Sequence, residues 1–489
     1  MNRQIIKLFA FIIVLFAVLV GFTSYWSVFD AKALKEKNVN QRPLLEQQQI
    51  PRGRILASDG TVIAKSFSKG HGSGKRYIRH YPLGALFGHP IGYSFVQYGQ
   101  SEFEKSHNSE LTGEESEFGS IFDQLTGTKQ EGEQIVTNLD LHAQEVAMGD
   151  LEAAGHGAVV AIEPSTGAVK VMASNPGYNP NSIPNEKTFK RLSYTEKVNA
   201  PLVNRASFAR YPPGSTFKVV TAAAGLESGV ITPETAINAP GSIIDEGHEL
   251  ANDYHEDFGP ITLDFALTNS VNTWFGQLGQ KVGNKNLFSM MEAFGFGSIP
   301  PLDLPEEEML PSGVVGEHGE ILHRKDPVDL ARVAIGQERL LATPLQIAMV
   351  AAGVANGGKL MKPQIWNRVV DADGSVTKRM DPSVYSEPIS KKTAAELTTA
   401  MEGVVDEGTG TNAAISGVPV AGKTGTAETP GNEACGGGEE ENQAWFMGFA
   451  PANDPKIAIA ASVECTEQFG NDVAAPIFRD VAEAILNGE

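Results

Sequence analysis

Serine 215 and lysine 218 are spaced for acyl-transfer chemistry. Tyr211-Pro212-Pro213-Gly214 forms a turn that cannot be helical, while the run from Thr216 to Ser228 is apolar, Ala-rich and closed by Gly229. A buried helix is therefore predicted to begin at about Ser215. Lys218 follows one turn later on the same face, with its amine in reach of the Ser215 hydroxyl. A serine is inert at its own pKa and needs a base beside it. A lysine can be that base only where burial or other cations depress its pKa toward neutrality. Ser-x-x-Lys alone is a weak pattern, since it recurs at Ser66/Lys69 and Ser375/Lys378. Both repeats sit in polar, Gly-flanked stretches with no apolar run behind them and read as loops.

Two further patterns supply the remaining parts. In Ser270-Val271-Asn272, Ser270 can pass a proton to a leaving amine, and Asn272 can hold both Lys218 and a substrate amide. In Lys423-Thr424-Gly425-Thr426, Lys423 brings positive potential toward Ser215 and Lys218, and Thr424 and Thr426 offer hydroxyls to a carboxylate. Gly425 has no side chain, so substrate can lie against the strand. Backbone N–H groups at the helix start and on this strand can hold an oxyanion, at roughly 3–4 kcal/mol per donor. Ser-x-Asn also recurs at Ser106-His107-Asn108, whereas Lys-Thr-Gly occurs once. No metal or cofactor is expected. His248-Glu249 with His255-Glu256 is the one metal-like cluster; it lacks His-Glu-x-x-His spacing and reads as a solvated loop.

The elements that must position these residues are legible in outline. Ala158–Ile162 and Ala168–Ala173 read as two strands joined by the Pro/Gly turn Glu163-Pro164-Ser165-Thr166-Gly167. A helical pair breaks at Thr268–Asn272. Asp326-Pro327 is predicted to cap one later helix, and Thr343-Pro344-Leu345-Gln346 to start another as a capping box, ending at Asn356. Val418-Pro419-Val420 is extended and leads into the Lys-Thr-Gly strand. Strands over 444–450 and 456–463 and a helix from about Pro476 to Leu486 complete the set. Before residue 150 the chain is polar and turn-rich, with strand-like pieces around Asp59-Gly60. His71, His80, His89 and His107 are scattered there and read as surface residues.

The bulk composition narrows the partners. With 489 residues, 41% hydrophobic and 20% charged, the chain can build two or three domains with a large core. A net charge of -20 without a basic block excludes a nucleic-acid partner. Leu8–Trp26 is free of charge and as a helix spans about 28 Å, close to the ~30 Å of a bilayer core. It reads as a membrane anchor in preference to a cleaved signal peptide, despite the small-x-small stretch Ala31-Lys32-Ala33. Arg3 and Lys7 are answered by Lys32, Lys35 and Lys37, so charge barely sets the orientation. The strands over 444–450 and 456–463 should form a hairpin. That brings Cys435, ahead of the first, near Cys465, after the second, and the two are expected to form a disulfide.

The three motifs in this order, with Val271 where class A β-lactamases have Asp, are those of penicillin-binding proteins and serine β-lactamases. The chain resembles the class B penicillin-binding proteins, in the short penicillin-binding protein A type of actinobacteria. The resemblance runs from about residue 40 to the end. It includes Pro51-Arg52-Gly53-Arg54-Ile55, Tyr98-Gly99-Gln100-Ser101 with Glu104, the Gly336-Gln337 turn, Gly408-Thr409-Gly410 and Ala444–Pro451. Glu102-Phe103 departs from the family's usual Gly and Leu or Ile, and is expected to touch only the N-terminal module.

The resemblance implies an α+β fold. A transpeptidase domain of the serine β-lactamase-like type, with a five-stranded antiparallel sheet between helical layers, joins a smaller N-terminal pedestal and one transmembrane helix. The implied division is a cytoplasmic tail at 1–7, an anchor at 8–27, the pedestal at 28–150 and the transpeptidase at 151–489. The implied activity is a D,D-transpeptidase that cross-links peptidoglycan stem peptides outside the cytoplasmic membrane and is acylated by β-lactams. The amides of Ser215 and Thr426 would be its oxyanion donors. The pedestal is too short for a glycosyltransferase, which implies a separate glycan-chain polymerase as partner. A D,D-carboxypeptidase or a serine β-lactamase is the alternative. A β-lactam sensor lacks room for a cytoplasmic part, and a dead scaffold should have lost a motif residue.

Overall fold

The computed structural model describes residues 2–25, 42–113, 131–193, 200–371, 373–428 and 442–488. Its centre is a five-stranded antiparallel sheet in the order Ala421–Glu428, Asn442–Ala450, Ile457–Thr466, Gly157–Ile162 and Val169–Asn175. Successive side chains in a strand point to opposite faces, and here both faces are covered. Val160, Trp445, Met447 and Ala460 join the core that includes the apolar helix Pro344–Ala355. Val159, Phe446, Ile459 and Ala461 pack with the helices Leu141–Ala154 and Gly470–Leu486. Asn442–Ala450 is therefore buried along its whole length, and apolar at both parities except at Asn442 and Gln443.

A second sheet of six strands forms the N-terminal module, and its sequence order is unexpected. From one edge it runs Val376–Arg379, Trp366–Val370, Gln134–Thr137, Ile55–Leu56, Val62–Lys69 and Arg76–His80. The chain thus returns from the catalytic region to contribute a hairpin to the pedestal. Two motif fragments meet here: Glu104 accepts hydrogen bonds from Arg52 Nε at 2.6 Å, Arg79 Nε at 2.5 Å and the Tyr81 hydroxyl at 3.1 Å. The carboxylate is fully buried, and the two guanidiniums hold it below its usual pKa range against the cost of that burial.

Several local expectations change. Ser66–Lys69 lies in a strand and not a loop, and Ser375 turns into the strand Val376–Arg379, so neither serine has a helix behind it. The helix expected after Asp326-Pro327 begins at Leu330, capped by Asp329, whose carboxylate accepts from the Arg332 amide at 2.9 Å. Thr343 caps Pro344–Ala355 as predicted, but Gln346 donates to Phe294 O at 2.8 Å and does not close a capping box. The last helix starts at Gly470 and contains Pro476. Burial of Val473, Ala474, Ile477 and Phe478 outweighs the hydrogen bond that the proline cannot make. His89 is 2% exposed, not a surface residue; burial pushes its pKa down to about 4 while its Nε2 faces Pro176 O at 3.2 Å.

Glu102 also departs from expectation, because it lies at the junction of the two modules. Its amide donates to Glu308 Oε2 at 2.5 Å, and its carboxyl accepts from Asn204 Nδ2 at 3.4 Å. The N-terminal helix Asn2–Ser24 is long and apolar enough to span a membrane and exposes its apolar side chains all round. Cys435 lies outside the described residues, so its pairing with Cys465 stays an expectation; among those described no cysteine is free.

Candidate active site

The Pro-Pro-Gly turn ends in a 3-10 turn, Gly214–Phe217, from which the α-helix Lys218–Glu227 continues. The α-helix thus begins three residues later than the predicted start at Ser215, which stands half-buried in the tighter turn that opens it. The turn is tied on several sides. Tyr211 and Ala342 exchange backbone hydrogen bonds at 2.9 and 2.8 Å, Gly214 N donates to Gly336 O at 2.9 Å, and Trp445 Nε1 donates to Pro212 O at 2.9 Å.

Glycines allow this close approach. Gly336 has φ +79, and a Cβ there would fall 1.9 Å from Gly214 O. A Cβ on Gly425 would fall 2.7 Å from Pro213 O and 2.9 Å from Thr216 Cγ2. The bare Gly425 therefore lets the serine turn seat on the strand.

Lys218 is fully buried beneath this turn. Its Nζ donates to Ser270 O at 2.5 Å and Asn272 Oδ1 at 2.6 Å, and Ser270 Oγ lies 3.2 Å away. Among the described residues no hydrogen bond joins it to Ser215 Oγ. A buried amine must satisfy its donors, and two carbonyl oxygens do so here. Asn272 is oriented by its own Nδ2, which donates to Ala251 O at 3.0 Å. Burial first, then the charge of Lys423, pushes the Lys218 pKa well below its usual range, against the pull of Asp253. A neutral amine with both hydrogens spent on Ser270 O and Asn272 Oδ1 keeps its lone pair for a hydroxyl proton.

Ser270 adopts φ +57, a left-handed conformation uncommon outside glycine, with its amide held by Leu267 O at 3.2 Å. The strain turns its carbonyl and hydroxyl toward the same amine. Lys423 is also fully buried, and its Nζ donates to Thr424 O at 3.3 Å and Thr424 Oγ1 at 3.4 Å. Burial lowers its pKa to about 7 although Asp253 raises it.

The two threonines are partly engaged. Thr424 Oγ1 lies 2.7 Å from Thr409 Oγ1, and Thr426 Oγ1 accepts from the Gly470 amide at 3.2 Å, which leaves its own O–H to donate. Ala421–Glu428 is the edge of its sheet, so one row of its backbone groups has no strand partner.

Ser215, Lys218, Ser270, Asn272 and Lys423 thus converge, with Gly425 and Thr426 beside the serine turn. Three contributors have no role assignable from sequence alone. Thr409 joins Thr424 to the Ser270 loop, because its amide donates to Thr268 O at 3.2 Å. Gly336 seats the serine turn. Asp253 acts electrostatically on both lysines. The Gly-Thr-Gly and Gly-Gln fragments signalled the first two; nothing in the chain marks Asp253. Among the described residues no cluster suited to a metal is present, and His255 Nε2 merely lies 3.5 Å from Glu249 Oε1.

The family model "penicillin binding protein transpeptidase domain" matches residues 157–483, and "penicillin binding protein A dimerisation domain" matches residues 52–135. The chain is 33% identical to the peptidoglycan D,D-transpeptidase PbpA of Mycolicibacterium smegmatis, over 99% of each chain. It is 31% identical to that of Mycobacterium tuberculosis over 100% of each. Among solved structures, penicillin-binding protein A from M. tuberculosis as an imipenem acyl-enzyme complex matches with a TM-score of 0.78 and 32% identity, covering 90% of this chain and 100% of that one. The D,D-transpeptidase domain of a peptidoglycan glycosyltransferase from Eggerthella lenta matches with a TM-score of 0.76 and 33% identity, covering 90% and 99%.

Proposed function

The chain belongs to the penicillin-binding protein transpeptidase family, and on that premise we propose that it is a peptidoglycan D,D-transpeptidase that works through an acyl-enzyme on Ser215 and is inhibited when a β-lactam acylates the same oxygen. The observation that carries the assignment of roles is the buried Lys218 amine, held by Ser270 and Asn272 one turn from Ser215. Ser215 Oγ attacks a stem-peptide carbonyl while Lys218 takes its proton, directly or through the Ser270 hydroxyl. The oxyanion is held by the amides of Ser215 and Thr426. The peptide C–N bond breaks, Ser270 delivers a proton to the departing amine, and an ester remains. An amine of a second stem peptide attacks the ester, loses a proton back to the site and leaves as the cross-linked amide. Thr424 and Thr426 offer hydroxyls to the donor carboxylate, and Lys423 supplies positive potential beneath them.

Full-length relatives named D,D-transpeptidase favour this reading over a carboxypeptidase. The helix Asn2–Ser24 anchors the protein, with the remainder outside the cytoplasmic membrane, where its substrate lies. A separate glycan-chain polymerase supplies the strands. Ser215→Ala should abolish covalent labelling by a fluorescent penicillin in a protein that still melts cooperatively, while Ser66→Ala and Ser375→Ala label normally. Labelling of Ser215→Ala would overturn the assignment.

A further inference from the structure

From Gly60 to Ser101 the chain carries no Asp or Glu, although it has 59 in all, and it holds Lys65, Lys69, Lys75, Arg76 and Arg79. The strands Val62–Lys69 and Arg76–His80 pair there as an antiparallel hairpin, and Arg76–His80 is an edge of the pedestal sheet. Register sorts the charges by face. Lys65 lies opposite His80, Phe67 opposite Ile78 and Lys69 opposite Arg76, so these residues share one face. Arg79 belongs to the other face, where Glu104 neutralises it.

The shared face is open and uncompensated. Lys65, Lys69 and Arg76 are exposed, and Phe67 is 47% exposed with its ring 6.2 Å from that of His80. Among the described residues none of these three cations pairs with a carboxylate. Lys69 directly opposite Arg76 is a like-charge pair, which by itself destabilises a hairpin. The connecting turn adds the exposed Lys75, whose Nζ lies 4.9 Å from the centre of the Tyr77 ring. Cations flanking an exposed phenyl ring, with no acid to oppose them, are complementary to an anionic interface that also accepts an apolar side chain.

The place of the hairpin in the chain says which interface. Tyr77 N donates to Gln48 O at 2.8 Å, so the chain that comes from the apolar helix Asn2–Ser24 enters the pedestal against the edge of this hairpin. Sixteen residues, 26–41, separate the described parts, a reach of at most roughly 60 Å. A connection this short gives the hairpin a high effective concentration at the bilayer, so individually weak contacts suffice. The net charge of -20 does not forbid them, because at physiological salt a charge is felt over only about 8 Å. We propose that the face formed by Lys65, Phe67, Lys69 and Arg76 docks onto anionic lipid headgroups of the membrane that holds the anchor. The inference rests on the reading of Asn2–Ser24 as that anchor.

The test is hydrogen exchange, read by mass spectrometry, on the full chain in nanodiscs of phosphatidylcholine alone or with about 30% phosphatidylglycerol. Amides over residues 65–76 should exchange at least about threefold more slowly in the anionic bilayer, and about 0.5 M salt should remove the difference. The triple variant Lys65→Gln, Lys69→Gln, Arg76→Gln should show no slowing. Its labelling by a fluorescent penicillin should be unchanged, and its melting temperature unchanged or raised, since a like-charge pair is gone. Equal exchange in the two bilayers would overturn the proposal. So would equal slowing by free glycerol phosphate in phosphatidylcholine alone, which would mean a site for a single anion and not for a bilayer surface. Failure of the anchor reading looks different, since an alkaline wash would then release the chain from the bilayer, and the inference falls with it.

Discussion

At the scale of single residues, the placement of carboxylates is what separates acyl transfer from hydrolysis. Both a transpeptidase and a β-lactamase make an ester on Ser215, but rapid hydrolysis needs a carboxylate poised to activate water. Among the described residues no carboxylate hydrogen-bonds Ser215, Lys218 or Ser270. The natural ester is released by an incoming amine, whereas an opened β-lactam keeps its leaving group tethered in the way of that approach. The penicilloyl adduct on Ser215 should therefore persist for many minutes or longer after free drug is removed, as followed by intact-mass spectrometry. Loss within seconds, with steady drug turnover, would place the chain among the lactamases. The chemistry depends on burial more than on spacing: the same Ser-x-x-Lys at Ser66/Lys69 lies on a strand that becomes exposed toward its end, where its lysine keeps its solvent.

At the scale of elements, the serine turn and the edge strand are fitted to each other through backbone. Gly336, Gly214 and Gly425 lie where side chains would collide with carbonyl oxygens, so the position of Ser215 is set by three chain segments at once. Gly336→Ala would place a methyl inside Gly214 O and force a left-handed alanine. The backbone strain alone is worth about 1–3 kcal/mol. The variant should melt several degrees lower and acylate at least about tenfold more slowly, because the turn must move off the strand and small misplacements of a nucleophile are costly. Melting with penicillin labelling checks both; unchanged labelling would show that the turn tolerates displacement.

At the scale of the whole molecule, pedestal and catalytic domain are joined by side chains that titrate. Glu102 is buried with φ +51, one of its oxygens, Oε2, has no partner among the described residues, and it lies beside Glu308. Desolvation, then the charge of Glu308, raises its pKa well above the usual 4.5, with Asn204 and Lys105 opposing. The native state therefore keeps a proton that the unfolded chain releases above about pH 4.5, so stability falls as pH rises from there toward the folded value. Glu102→Gln keeps the shape and removes the charge. It should raise the melting temperature at neutral pH, leave it unchanged near pH 4, and flatten the slope between. An unaltered slope in differential scanning calorimetry would mean that other groups control the junction.

The sequence by itself determined the family and most of the scaffold. Residue types at Ser215, Lys218, Ser270, Asn272 and Lys423 suit the proposed nucleophile, base, proton relay and cation. Turn residues and apolar runs marked the strands of the central sheet and the helix Pro344–Ala355, because capping and side-chain alternation are local effects. What lay beyond sequence was set by contacts between distant segments. Thr409 and Gly336 join the site only because their loops come back to it. The pedestal borrows a hairpin from residues 366–379, a pairing that strand propensity does not encode. Burial lowers the Lys218 pKa and raises that of Glu102, and burial belongs to the assembled fold.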